Sequence, residues 1–122
     1  MKNEQLDQLL YEALETEMGG VQVYKTAIRC AVNEDLKEEW EEYLEQTQKH
    51  EQIVRELLGK FKLDPETDTP GRKVVRHIGQ SLVKAMEMAM AAASIVIHQL
   101  GTTGTASVSQ IQNLLDQVVA PR

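Results

Sequence analysis

The chain has 122 residues, 42% of them hydrophobic but only 4% aromatic, and a formal charge of −6. This length fits one domain with its own core, the wealth of Leu, Ala, Glu, Gln, Lys and Met favours helix over sheet, and the acidic balance excludes nucleic acid or an anionic membrane as main partner, since both demand a basic face. Cys30 is the single cysteine and has no internal disulfide partner, no apolar run reaches the ~20 residues of a membrane span, and the N-terminus lacks a signal-peptide pattern, so a reducing, cytoplasmic setting is expected.

Asn3 predicts the N-cap of a first helix whose apolar stripe is Leu6, Leu10, Leu14, Val21, Tyr24 and Ile28, at spacings of three and four. Glu17 falls on that stripe, between Leu14 and Val21, where the pattern asks for an apolar residue. Gly19 and Gly20 follow it, each costing about 1 kcal/mol inside a helix. Close approach of a neighbouring backbone accounts for them more readily than a kink beside Glu17.

Asn33, followed by Glu34 and Asp35, predicts a second N-cap with acids in the first turn. The helix it opens runs to about Phe61 with the stripe Leu36, Trp40, Tyr43, Thr47, His50, Val54, Leu57 and Phe61. Its two polar interruptions, Thr47 and His50, stand together at mid-helix with Glu51 on their flank. The segment LDPETDTPG ends the helix, and Thr69 followed by Pro70 predicts the start of a third. Val75, Ile78, Leu82, Met86, Ala89, Ala93 and Val96 form its stripe, and from Leu82 to Ile97 only Lys84 and Glu87 are charged. A helix so apolar on every face is normally buried on several sides.

Gly101 and Gly104 break this pattern, and Ser107 with Gln110 resembles a capping box that opens a short fourth helix carrying Val108, Ile111, Leu115 and Val118. The expected fold is therefore all-α: an antiparallel up-down bundle of three long helices and a short fourth, in one domain over 1–122. Charge divides the chain unevenly. Residues 1–68 hold 17 acids against 8 bases, residues 69–90 hold 1 against 4, and residues 91–122 hold only Asp116 and Arg122. The segment 93–122 thus differs from 1–92 as if it had another origin.

Burying a lone carboxylate costs several kcal/mol unless it is paired, protonated or bound to a cation. Glu17, His50 and Glu87 each lie near the middle of a predicted helix, so an up-down bundle would bring them to about one level, which is how bundles build metal sites. Plainer readings stand beside this one: Glu17 wet at the edge of its stripe, Glu87 paired with Lys84, His50 hydrogen-bonded to Tyr24 or Tyr43. Met86, Met88 and Met90 read as core filler. Asp64, Glu66 and Asp68 lack the layout of a calcium hand. No glycine-rich phosphate loop, zinc spacing or nucleophile with an adjacent base occurs.

Glu17 followed by Tyr24, then a second helix with an inward histidine and a third with an inward glutamate, resembles the ferritin-like superfamily of rubrerythrins, bacterioferritins and small bacterial ferritin-like domain proteins. The stretches ALETEMGGVQVYKTAIRCAVNEDLKEEWEEYLEQTQKHEQIV and LDPETDTPGRKVVRHIGQSLVKAMEMAM carry the likeness, over roughly residues 8–92. It implies a four-helix bundle holding two iron or manganese ions between glutamates and Glu-x-x-His pairs, a centre that reacts with dioxygen or peroxide or stores iron.

By position, the resemblance makes Glu17 the carboxylate of the first helix, His50 the imidazole of the second and Glu87 the carboxylate of the third. Thr47 stands where the glutamate partner of His50 belongs, with Glu51 one turn along as its nearest substitute. The second Glu-x-x-His is missing, since His77 follows Val74 and His98 follows Ile95 at that spacing. Three ligands do not hold two metals in the usual way. The expectation is a degenerate centre, not a working oxidase, that binds at most one iron or manganese ion weakly within one chain. The apolar third helix gives a reason to form a homodimer, in which two half-sites could meet. The alternative is a non-catalytic helical dimerisation or interaction module, in which the polar residues only set helix register.

Overall fold

A computed structural model describes residues 3–100, with side chains through residue 93. It contains three helices in the order α1 (Glu4–Cys30), α2 (Glu34–Lys60) and α3 (Pro70–Leu100). The described residues contain no strand. The predicted fourth helix lies outside them. The chain divides into two compact units, the first Met1–Val83 and the second from Lys84 onward, a division that falls within α3 and earlier than the change in composition after Ala92.

All three helices start where the capping residues predict. Asn3 Oδ1 accepts from the Leu6 amide at 3.1 Å. Asn33 Oδ1 accepts from the amides of Asp35 and Leu36 at 2.9 and 3.1 Å, and Thr69 Oγ1 accepts from that of Arg72 at 3.1 Å. Each bond satisfies an amide that the first turn of a helix leaves without a partner. At the other end of α2 the Lys62 amide donates to Gly59 O at 3.1 Å and the Leu63 amide to Leu58 O at 2.9 Å, while Lys62 takes φ 58°. These are the two bonds of a Schellman motif. Its usual apolar clasp is present too, because Leu63 packs against the buried core that contains Leu58.

Only Ala31, Val32 and Asn33 join α1 to α2, a connection short enough to make the two helices antiparallel neighbours. Their seam holds the core of the first unit: Tyr11, Leu14 and Leu58 are buried, with Leu10, Met18, Val54 and Leu63 packed around them. Residues 70–83 of α3 lie on the other side of α1 and run parallel to it. Gly71 lies against Glu12, Arg72 bonds to Glu15, and Gly79 approaches Gly19, so both sets of numbers rise together. The first unit is thus built up, down, up.

Several large apolar residues remain outside this core. Ile53, Leu57 and Phe61 on α2 and Val74, Ile78 and Leu82 on α3 are exposed, from 36% at Leu57 to 62% at Ile78. Both sets are spaced by four and so form one stripe each along their helix.

Candidate functional site

Along the α1–α2 seam three contacts succeed one another. At the end near the connection the rings of Tyr24, Trp40 and Tyr43 meet, with centroids 6.0 Å apart for Tyr24 and Trp40 and 5.9 Å for the other two pairs, within the range of favourable tilted ring packing. The Tyr43 hydroxyl donates to Glu39 Oε1 at 3.0 Å, and that bond, with the charge of Glu39, raises it above its ordinary value of 10.0.

One turn on, Gly20 faces Thr47. A Cβ on Gly20 would lie 3.1 Å from Thr47 Cγ2, while Thr47 Oγ1 turns back to donate to Tyr43 O at 2.8 Å. Thr47 is buried. The place where the resemblance asks for a glutamate is thus occupied by a helix-to-helix contact that only small side chains allow.

The next pair is Glu17 and His50. His50 Nδ1 stands 3.7 Å from Glu17 Oε2, with side chains 58% and 27% exposed respectively. This is ion-pair reach when the imidazole is protonated, and too long for a hydrogen bond. The histidine's partner is therefore Glu17 rather than either tyrosine.

Glu51 is engaged elsewhere, accepting from Arg55 Nε at 2.9 Å. Glu87 lies on the part of α3 that belongs to the second unit and is exposed. So the fold brings Glu17 and His50 together, and none of the four candidate ligands is buried.

Two ligands do not meet the needs of a di-iron or di-manganese carboxylate centre. Thr47 is committed to a backbone carbonyl and Glu51 to an arginine. Among the described residues no group of three or more His, Cys, Asp and Glu is placed to hold a metal ion.

Among the described residues the buried carboxylate is that of Glu15, 5% exposed. Its Oε1 accepts from Arg72 Nε at 2.9 Å and from Arg76 Nη2 at 3.0 Å. Arg72, 4% exposed, also donates through Nη1 to Pro65 O at 2.6 Å and Thr67 O at 2.8 Å. Arg76 reaches on to both oxygens of Asp68, at 2.8 and 3.3 Å. The Arg76 guanidinium holds Asp68 below its ordinary 3.8, chiefly by hydrogen bonding. In return Asp68, and then Glu15, raise Arg76.

The apolar pattern did not single these residues out, because Glu15 sits beside the stripe rather than on it. A signal was present in α3. Two arginines four apart stand near the N-terminal end of a helix that has no acid in its first turn, where the helix dipole disfavours cations. They call for a carboxylate from another element.

No protein-family model, curated protein or solved structure matches this chain.

Proposed function

We propose that the chain is a helical association module of ferritin-like type that binds a second copy of itself through the apolar stripes of α2 and α3. The observation that carries this reading is the pair of stripes, Ile53, Leu57 and Phe61 on one helix and Val74, Ile78 and Leu82 on the other. Soluble monomers rarely leave such rows open, and exposed apolar rows mark association surfaces. The absence of a three-ligand cluster among the described residues supports an interaction role over an oxidase.

Complete burial of a large apolar side chain is worth roughly 1.5–3 kcal/mol, so six half-exposed ones contribute about 5–9 kcal/mol per copy. Against an association cost of ~4–15 kcal/mol, mid-range values for two copies leave about 4–5 kcal/mol, a dissociation constant of roughly 0.5 mM, so concentrations from about 1 μM to 1 mM bracket the transition. Sedimentation equilibrium across that concentration range should show a reversible dimer. Ile53→Asp and Ile78→Asp should abolish it while leaving the helical circular dichroism unchanged. An unaltered chain that stays monomeric at about 1 mM would refute the reading.

A second reading rests on the Glu17–His50 pair: a vestigial site that binds one iron or manganese ion weakly. Metal analysis of chain purified from iron- and manganese-supplemented medium tests it. No bound metal, or binding indifferent to Glu17→Ala and His50→Ala, counts against it.

A further inference from the structure

The two neighbours of α1 in the first unit are held to it by different forces. α2 is held by apolar contact: the buried cluster of Tyr11, Leu14 and Leu58, the half-buried side chains around it, and the ring triad of Tyr24, Trp40 and Tyr43. Along residues 70–83 of α3 the situation is reversed. None of the large apolar side chains there (Val74, Val75, Ile78, Leu82 and Val83) is buried, and the one buried side chain on that stretch is the charged Arg72. What draws this part of α3 to α1 is the carboxylate of Glu15 between two guanidinium groups, together with the Glu12 side chain lying against Gly71 and a backbone approach of Gly79 to Gly19.

The same arginine fastens the preceding loop through Pro65 O and Thr67 O. Asp68, at the end of that loop, holds Arg76. Loop and helix start are therefore tied to α1 through one acid. A network of this kind is cooperative, because removing Glu15 leaves Arg72 buried without a counter-charge and at the same time cuts the tie of Arg76 to α1, leaving it bonded to Asp68 alone in the network.

We propose that the Glu15–Arg72–Arg76–Asp68 network is a latch, and that residues 64–83 open from the α1–α2 hairpin as a unit while the hairpin stays folded. The apolar seam between α1 and α2 includes no apolar side chain from residues 64–83; Arg72 Nη2 touches it only at Met18 Sδ, at 3.8 Å, so opening leaves the apolar contacts of that seam closed. A helix whose stability comes from docking frays once undocked, and the opening is therefore visible in amide exchange. The proposal stands whether or not the chain self-associates.

Hydrogen exchange read by mass spectrometry on the full chain tests it, with Glu15→Gln as the perturbation, since glutamine keeps the shape and removes the charge. Peptides covering 64–83 should exchange at least about ten-fold faster in the variant, while the buried stretches of α1 and α2 change little. Equal loss of protection in all three helices, or no change in any, would overturn the latch. If Glu15→Gln does not fold, the unaltered chain decides: lower protection in 64–83 than along the α1–α2 seam supports the proposal, and uniform protection overturns it.

Discussion

Replacing Gly20 by alanine pits two known effects against each other at the point where the expected glutamate is missing. Alanine in place of glycine inside a helix gains about 1 kcal/mol. At Gly20, however, the new methyl would lie 3.1 Å from Thr47 Cγ2, well inside the roughly 3.5–4.0 Å at which carbon atoms pack without repulsion. Thr47 cannot turn the methyl aside cheaply, because its hydroxyl is bonded to Tyr43 O at 2.8 Å and that bond is worth about 1 kcal/mol. Overpacking of this sort costs typically ~1–3 kcal/mol. The expected net effect of Gly20→Ala is a loss of about 1 kcal/mol.

The neighbouring glycine supplies the control. A Cβ on Gly19 meets nothing within 4 Å, so Gly19→Ala should gain about 1 kcal/mol. Urea denaturation followed by circular dichroism, at concentrations too low for association, measures both. In a double-mutant cycle Thr47→Ser removes the opposing methyl, and Gly20→Ala should become stabilising in that background. Equal stabilisation by both alanines, with no coupling to Thr47→Ser, would mean that the seam is looser than described and that contact with Gly20 is not why Thr47 is small.

Three further outcomes are expected. Lys62→Gly should raise stability by about 1 kcal/mol in the same assay, since Lys62 holds φ 58° in the left-handed region that costs a residue with a Cβ roughly 1–2 kcal/mol; unchanged stability would argue against that backbone geometry. Asp68 lies below its ordinary 3.8 in the folded chain because of Arg76, so its contribution is present above that pH and is lost as pH falls through the lower folded value. The stability difference between the unaltered chain and Asp68→Asn should accordingly be constant near neutrality and shrink toward zero in strong acid, and a difference that persists there would exclude the ion pair as its source. Leu14→Ala, at a fully buried site, should cost about 2–5 kcal/mol, whereas Ile78→Ala, on an exposed stripe, should change the monomer's stability by no more than about 0.5 kcal/mol; comparable losses at the two sites would mean that the Ile78 stripe is covered in solution.

The helices were legible because their signals are local. Asn3, Asn33 and Thr69 bond to amides two or three residues away, and a bond closed within one turn depends on nothing farther along the chain. The stripes and the three-residue connection likewise anticipate the α1–α2 hairpin. Of the two glycines expected to admit a neighbouring backbone, Gly20 instead faces the Thr47 methyl, a side chain, and a Cβ on Gly19 would meet nothing within 4 Å.

Side-chain burial was less legible, and Glu17 and Glu15 show why. The periodic pattern marks one face of a helix, but α1 has a neighbour on two sides: α2 meets Gly20 and Glu17, and α3 meets Glu15 and Gly19. The residue enclosed between α1 and α3 lies off the stripe that faces α2, so an interior acid looked like a surface one and a partly wet acid looked interior.

What the sequence determined alone was, among the described residues, the three helices, their starts and their order, because caps, breakers and apolar spacing act over a few residues. Tertiary structure decided which charged groups meet. The ties from Arg72 and Arg76 to Glu15 span 57 and 61 residues, and over such separations the register and direction of packed helices, rather than any local preference, fix which side chain finds which partner.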